Sequence, residues 1–295
     1  MTTTAEPGLS ERRHLINLAY RLLGSLADAE DVVQETYARW YAMTGEQRAA
    51  IGSPGAWLTT VAGRVCLDQL GSARARRERY VGEWIPEPLP DHTEWGNGGP
   101  SDPADRITLD ESVNMAFLVV LDTMTPAERV AFVLHDVFRY PFADIAGIVG
   151  RTPAACRQLA TSARRRVRAA RPGPAPADRQ TGVVRAFKQA WEAKDIDALI
   201  GLLDPAATAT GDGGGLVSAV PYPLVGAGSV ARFFAGRPAA PGLTFLERTV
   251  NGRPGLTVQL GGVTVTVLAF DVAGDRIRHI WAVLNPDKLR AWATP

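Results

Sequence analysis

Seven arginines and no carboxylate lie between positions 151 and 171 of this 295-residue chain. At helical spacing, Arg157, Gln158, Thr161, Arg164, Arg165 and Arg168 share one face, and Cys156, Leu159, Ala160, Ala163 and Val167 share the other. Guanidinium groups in such a row neutralise phosphates, and arginine and glutamine can grip guanine and adenine edges in bidentate fashion. The residues just before supply a start for that helix: Gly150 for a turn, Thr152 as N-cap, and Pro153 where no backbone donor is needed. Further upstream, Val130, Val133, Leu134 and Val137, then Phe142, Ile145, Ala146 and Val149, predict two short apolar-faced helices. Residues 126–171 therefore read as a helix–turn–helix, with an apolar face to seat the recognition helix and an outer face for duplex DNA. Its DNA candidates are Arg151, Thr152, Arg157, Gln158, Thr161, Arg164, Arg165 and Arg168. Arg157 and Gln158, near the helix start, are placed to read base edges, while Arg164, Arg165 and Arg168 are placed to hold phosphates. A merely solvated helix face would leave the missing acids and the turn chemistry unexplained.

The overall balance of charge hides a segregation. Net charge is +1, yet residues 81–111 hold eight acids against one arginine, and residues 112–171 hold nine arginines against four acids. That pattern suits a nucleic-acid surface beside an acidic linker. Two cysteines, Cys66 and Cys156, are too few for a disulfide framework or a metal site, so no metal and no cofactor is expected and a reducing cytoplasm fits. The segment MTTTAEPGLSERR has no apolar core of signal-peptide length, and no run approaches the roughly 18 apolar residues of a membrane span.

The elements that must carry these residues fall into successive zones. Residues 10–80 read as helices: Leu15, Leu18, Ala19 and Leu22 form one stripe, Ala29, Val32, Val33, Thr36, Tyr37 and Trp40 a second, and Trp57, Leu58, Val61 and Val65 a third, after a Ser53 cap. Residues 81–105 are rich in proline, glycine and acid and read as a linker. Residues 106–171 hold the helix–turn–helix, and 172–180 form a Pro-rich hinge. In residues 181–295 a helical stretch to Leu203 precedes the strand-like runs LTFLERTV, LTVQLGG, VTVTVLAFDV and IRHIWAVL. The expected fold is multidomain: two all-α domains, the second a helix–turn–helix, followed by an α+β domain.

Residues 10–170 resemble an extracytoplasmic-function (ECF) sigma factor of the sigma-70 family, the promoter-specificity subunit of bacterial RNA polymerase. The motifs DAEDVVQETYARWY (28–41), SPGAWLTTVAGRVCLDQLGSARARR (53–77) and HDVFRYPFADIAGIVGRTPAACRQLATSARRRV (135–167) carry the resemblance, in the expected order and separation. It implies that 1–80 is sigma region 2, binding core polymerase and the minus-ten element, and that 106–171 is sigma region 4, binding the minus-thirty-five element. It also implies that Asp28, Asp31, Gln34, Glu35 and Arg39 dock on the clamp of the polymerase's largest subunit, where an acidic patch on a basic partner would steer association. An ordinary solvated face with Glu35–Arg39 pairing is the competing reading. Arg64, Asp68, Arg74, Arg76 and Arg77 are implied minus-ten contacts, a positive groove for unstacked bases. Trp57 is expected in the core, and Arg64 stands where many relatives have asparagine.

Residues 178–295 resemble the SnoaL-like fold, a cone of curved sheet and helices around a pocket, fused to sigma factors of the SigJ-type subgroup. Three motifs of that subgroup stand here as WIPEPL (84–89), DGGG (212–215) and NPDKL (285–289), with Leu216 where the subgroup has lysine. The resemblance implies that Trp84, Pro86, Pro88, Asp212, Gly213, Gly214, Gly215, Asn285, Pro286, Asp287 and Lys288 meet at a regulatory interface. There the tail would hold the two DNA-binding domains in a defined arrangement. NPDKL reads as a turn and terminal helix with Asn285 capping. Expected partners are core RNA polymerase, promoter DNA, and a small ligand or another protein at the C-terminal domain; no membrane and no catalytic residue are expected. Two alternatives stand beside this reading. One is a tail that senses a ligand or is a vestigial enzyme using Asp212, Tyr222 and His279, decided by whether a pocket of several hundred cubic ångströms has Asp212 and His279 facing in. The other is a helix–turn–helix regulator acting without polymerase, which leaves the 28–41 face without a role.

Overall fold

The computed structural model describes residues 8–77, 80–91, 107–108, 111–170, 177–237 and 241–293, the side chains of 73–77 and 111 aside. The chain forms two compact units and enters each more than once. The first holds the described residues within 1–78, 99–108 and 120–170, and the second those within 79–98, 109–119 and 171–295.

In the first unit the predicted apolar stripes become α1 (Leu9–Leu23), α2 (Leu26–Ala42), the short α3 (Gly45–Ala49) and α4 (Pro54–Arg77). Leu15, Leu18 and Leu22 of α1 bury with Val32, Val33 and Trp40 of α2 and Leu58 and Val65 of α4. Trp57 meets Trp40 edge to face, ring centroids 5.3 Å apart, so it belongs to this packing. Ser25 and Ser53 accept from the amides of Asp28 and Ala56, capping α2 and α4. A fifth helix, α5 (Met115–Asp122), contributes its last three residues here. Then come α6 (Pro126–Phe132), α7 (Phe142–Val149) and α8 (Pro153–Ala170), the helix–turn–helix. Thr125 and Glu128 form a capping box on α6.

Two buried arginines tie the helices together. Arg129 donates to the carbonyl of Leu22 at 2.9 Å, near the C-terminus of α1, and pairs with Asp122 at 2.8 Å. Arg21 donates to Asn17 Oδ1 and to the Thr108 carbonyl. One local feature departs from expectation. The periodicity through Val137 predicts continuous α-helix, but Val133–Val137 is a π-helical turn, with the Phe138 amide bonded to Val133 O at 3.1 Å. This wider turn, followed by Arg139 at φ 64°, redirects the chain so that the Tyr140 hydroxyl lies 2.9 Å from His14 Nε2 and 3.0 Å from Thr59 Oγ1.

The second unit is α+β. Its elements are α9 (Ala177–Glu192), α10 (Ile196–Leu202), β1 (Leu203–Asp212), β2 (Leu224–Val225), α11 (Ala227–Ala235), β3 (Leu243–Val250), β4 (Arg253–Leu260), β5 (Val263–Ala273) and β6 (Arg276–Val283). The sheet order is β2-β1-β6-β5-β4-β3, with β1 parallel to β6 and every other pair antiparallel. The four expected strands are β3 to β6. The strand β1 was not expected, because LDPAATATGD carries a proline and small residues rather than an alternating apolar pattern. Register shifts between Val258 and Gln259 and between Asp271 and Val272 bend the sheet, and bulges of this kind curve strands. Phe187, Trp191, Phe234, Leu268, Phe270 and Ile280 pack on one face. Ile85, Met115, Val267, Trp281, Leu289 and Trp292 pack in a second cluster. Asn285 caps as expected by accepting from the Asp287 amide, but the residues that follow form 3-10 turns at Pro286–Lys288 and Arg290–Trp292 rather than a helix. These tight turns lay Leu289 and Trp292 into the second cluster.

Burial holds His14 below its ordinary value, with the Glu11 charge opposing. A histidine depressed in the folded state binds its proton more readily when unfolded, so its contribution is full above the unfolded value of about 6.5 and is lost as pH falls through it. Thermal unfolding of the helical unit is therefore expected at lower temperature near pH 5.5 than near pH 7.5, the direction a buried neutral imidazole imposes. His14→Gln should flatten that slope, and a slope unchanged in the variant places the titration elsewhere.

Candidate functional site

Two sets of side chains stand out, one in each unit. On α8, Thr152 Oγ1 accepts from the Ala155 amide at 3.2 Å, fixing the start of the helix after the turn at Gly150. Arg151, Thr152, Arg157, Gln158, Thr161, Arg165 and Arg168 are exposed, while Cys156, Ala160 and Ala163 are buried against α6 and α7. The Arg157 guanidinium lies 5.4 Å from the centroid of the Phe142 ring, and the Thr161 hydroxyl donates to the Arg157 carbonyl. Arg164 is placed differently from its neighbours. Its Nε and Nη2 donate to the two oxygens of Asp136 at 2.7 and 3.1 Å, so its planar fork braces α8 against the π-helical turn.

On α2, Asp31, Gln34, Glu35 and Arg39 are exposed and Asp28 is half-buried in the first turn; Glu35 and Arg39 pair across one helical turn. On α4, Asp68 is exposed, and Arg64 donates to the Gly147 carbonyl of α7 at 2.9 Å. Ile148 of α7 is buried against Gly63, the residue before Arg64. The side chains of Arg74, Arg76 and Arg77 lie outside the described residues.

In the second unit the structure brings the three short motifs together around one carboxylate. Asp212, at the end of β1, is 0 % exposed. Its Oδ1 accepts from the Tyr80 hydroxyl at 2.6 Å and the Gly214 amide at 3.0 Å. Its Oδ2 accepts from Lys288 Nζ at 2.7 Å and the Ile85 amide at 3.0 Å. Its carbonyl accepts from the amides of Leu284 and Asn285, which locks NPDKL to β1. Lys288 also donates to Ile85 O at 2.6 Å and lies 4.2 Å from the centroid of the Trp84 ring. Asn285 Nδ2 donates to the Tyr80 oxygen, leaving the phenol proton for Asp212. Burial, then the bond to Asp212 and its charge, push the Tyr80 phenol well above its usual range, so it remains a donor.

The glycines of DGGG have two different reasons. A Cβ on Gly213 would meet the Val217 carbonyl oxygen at 1.9 Å, so the loop closes on itself only without one. Gly214 has φ +63°, and a Cβ there would fall 2.3 Å from Asn285 Nδ2. Leu216 is 64 % exposed, and Asp287 pairs with Arg290. Beyond Ile85, the WIPEPL segment is buried: Pro88 O accepts from Trp292 Nε1 at 2.8 Å, and Leu89 exchanges two hydrogen bonds with Asn251. Asn251 Nδ2 also donates to Val113 O. Tyr80 and Asn251 were not anticipated. Both sit outside the three short motifs, and Asn251 reads in the sequence only as a hairpin-turn residue.

The catalytic set weighed as an alternative, Asp212, Tyr222 and His279, does not form. Asp212 is sealed by its donors, Tyr222 is 77 % exposed, and His279 pairs with Thr208 at 2.6 Å and stacks on Trp281. A cavity of about 460 Å³ does open in this domain, but neither Asp212 nor His279 lines it. The group of residues able to hold a metal ion is empty among the described residues. No helix of the described residues is long and apolar enough to cross a membrane.

Comparison with known proteins follows the same division. Family profiles for Sigma-70 region 2 and Sigma-70, region 4 match residues 9–76 and 114–167. The chain is 39 % identical over 293 residues to the ECF RNA polymerase sigma factor SigJ of Mycobacterium tuberculosis, covering 94 % of this chain and 90 % of that protein. It is 35 % identical to the probable ECF RNA polymerase sigma factor SigI of the same organism, covering 96 % and 94 %. The crystal structure of M. tuberculosis SigJ superposes with a TM-score of 0.74 at 33 % identity, over 96 % of each chain.

Every partner of the Asp212 side chain is a donor, so Asp212→Asn must turn an amide NH₂ toward one of them and leave Lys288 without its counter-charge. A loss of about 3 kcal/mol or more is expected in denaturant unfolding of this unit. Lys288→Met in the same chain should recover part of it, and strictly additive losses in the double-mutant cycle contradict the coupling.

Proposed function

The chain belongs to the ECF sigma factors of the sigma-70 family, and we propose that its own C-terminal domain restrains when its promoter-reading surfaces become available. As a sigma factor it works with core RNA polymerase on promoter DNA, which sets its place of action in the cytoplasm. The observation that carries the proposal is the buried Asp212. Through Tyr80 and Ile85 it fastens the stretch of chain that follows sigma region 2 to the C-terminal sheet. Asn251 fastens the same stretch at Leu89, and also the segment leading into region 4 at Val113. Chain pinned in this way is subtracted from the length that can span between the two sigma regions.

The arrangement of the helical unit supports the same reading. Arg64 is taken up by the Gly147 carbonyl and Ile148 covers Gly63, so this face of α4 is occupied by α7. For Arg64, Asp68, Arg74, Arg76 and Arg77 to take up minus-ten DNA, α7 must withdraw from that face. Asp28, Asp31, Gln34, Glu35 and Arg39 are the face offered to the clamp of the polymerase's largest subunit. On α8, Arg157 and Gln158 read the minus-thirty-five bases, Thr161 lies beside them, and Arg151, Thr152, Arg165 and Arg168 hold phosphates; Arg164 aligns the helix through Asp136. No catalytic role is assigned to Asp212, Tyr222 or His279, which do not converge.

Run-off transcription with core polymerase tests the restraint. With sigma limiting, a chain ending near Arg171 and the full-length Lys288→Ala variant should each give about five times the transcript of the parent, as release of a restraint near 1 kcal/mol would produce. Equal transcript from all three removes the proposal.

The division of labour on α8 is tested separately by gel shift with polymerase present. Arg157→Ala should relax sequence preference, costing about 1–3 kcal/mol on the specific promoter and little on a random one. Arg168→Ala should weaken both about equally and reduce the salt slope. The same loss from both variants on both duplexes contradicts it.

A further inference from the structure

The cavity in the C-terminal domain has a built character that the sigma-factor reading leaves unused. Its volume of about 460 Å³ falls in the range of small-molecule sites. The interior is walled by aromatic and aliphatic side chains, among them Trp191, Phe234, Phe245 and Leu268. The charged groups on its lining are Lys194, Arg237 and Glu192, all exposed. Glu192 is paired with Lys188, while Lys194 and Arg237 have no carboxylate within ion-pair distance among the described residues. Arg237 instead lies over the ring of Phe233, 5.2 Å from its centroid. An apolar interior with an unspent positive rim matches one class of molecule: an apolar body carrying a single anionic group.

The wall of the cavity also includes Val217, Ala219 and Val220. These residues belong to the loop that starts at Asp212. Gly213 O accepts from the amides of Leu216 and Val217, and Gly214 N donates back to Asp212 Oδ1. The loop that closes the cavity is therefore the loop that presents the carboxylate to Tyr80, Ile85 and Lys288. We propose that this cavity binds an apolar monoanion of the fatty-acid or aryl-carboxylate class, and that occupancy stabilises the Asp212 cluster and its grip on residues 80–89. The sign follows from linkage. The cavity is formed when the loop lies in place, so a ligand that needs the cavity favours the arrangement in which Asp212 holds its donors.

Calorimetric titration of the full-length protein with octanoate, decanoate, dodecanoate and dodecanol tests the ligand class. Affinity should rise about fourfold per methylene along the carboxylate series, the fold-change of burying one CH₂. Dodecanoate should bind at least tenfold more tightly than dodecanol. Arg237→Glu, an exposed substitution that leaves the core intact, should erase that tenfold preference. Ala282→Phe, which fills the cavity from β6, should abolish binding of both. Hydrogen exchange then reads the coupling: at a ligand concentration a hundred times the Kd, exchange of the Ile85 amide through local opening should slow by up to about 100-fold. No binding at millimolar dodecanoate, a carboxylate preference that survives Arg237→Glu, or Ile85 exchange unmoved at saturation each overturns the proposal. The titrations contain no polymerase and no DNA, so their failure leaves the transcriptional reading standing, and failure of that reading leaves the titrations interpretable.

Discussion

One carboxylate with no access to water organises the C-terminal unit. Asp212 collects four donors on two oxygens and two more on its carbonyl, drawn from residues as far apart in sequence as Tyr80 and Lys288. The burial would be costly for a lone charge, and it is tolerated because an ammonium and three neutral donors replace the water that was lost. Such a cluster is a weak source of net stability but a strict condition on geometry, since each partner must arrive together with the others. It fixes the end of β1, the turn of NPDKL and the start of the WIPEPL segment by a single requirement. A cation–π contact from Lys288 to Trp84 and the Trp292–Pro88 bond extend the order along the same stretch.

In the helical unit the physics is a sorting of arginines. Composition shows only that they are many, and position decides what each does. Arg129 is buried and satisfies the helix-end carbonyl of Leu22, Arg21 is buried on Asn17 and the Thr108 carbonyl, and Arg164 is held bidentate by Asp136. Arg157, Arg165 and Arg168 keep their forks toward solvent. A row read from sequence as one phosphate-facing surface thus contains a brace. The brace has a purpose, because α8 must be aimed before its outer face can read anything. The π-helical turn supplies Asp136 and leads the chain on to Tyr140, so one widened turn orients α8 and positions the hydroxyl that joins α1 and α4 through His14 and Thr59.

The parts legible in the sequence were those governed by local rules. Apolar spacing gave α1, α2, α4, α7 and α8, and capping residues marked the starts of α4 and α8 at Ser53 and Thr152. Alternation gave β3 to β6. What escaped depended on tertiary context. The strand β1 has no alternating pattern and exists because β6 offers it a parallel edge. The π-turn hides inside a sequence that fits α periodicity. Nor does the sequence show that residues of the three short motifs lie around the buried charge of Asp212 rather than at a surface contact. Tyr80 and Asn251 could not be read because a side-chain bond across more than a hundred residues leaves no local trace.

The position after the glycines shows where the cluster constrains its own motif and where it does not. The SigJ-type pattern places a lysine where this chain has Leu216, and a missing cation beside a conspicuous aspartate would suggest an unbalanced site. Geometry removes the difficulty. The Asp212 charge is already met by Lys288, which reaches it at 2.7 Å from the far end of the chain, and Leu216 points to solvent at 64 % exposure. A second cation at 216 would sit on the outside of a loop whose inner side is filled by the Val217 carbonyl against Gly213. The carboxylate is therefore indifferent to residue 216 in its charge balance and intolerant of any side chain at 213 or 214. Substitution is free where the loop faces water and forbidden where it faces the charge.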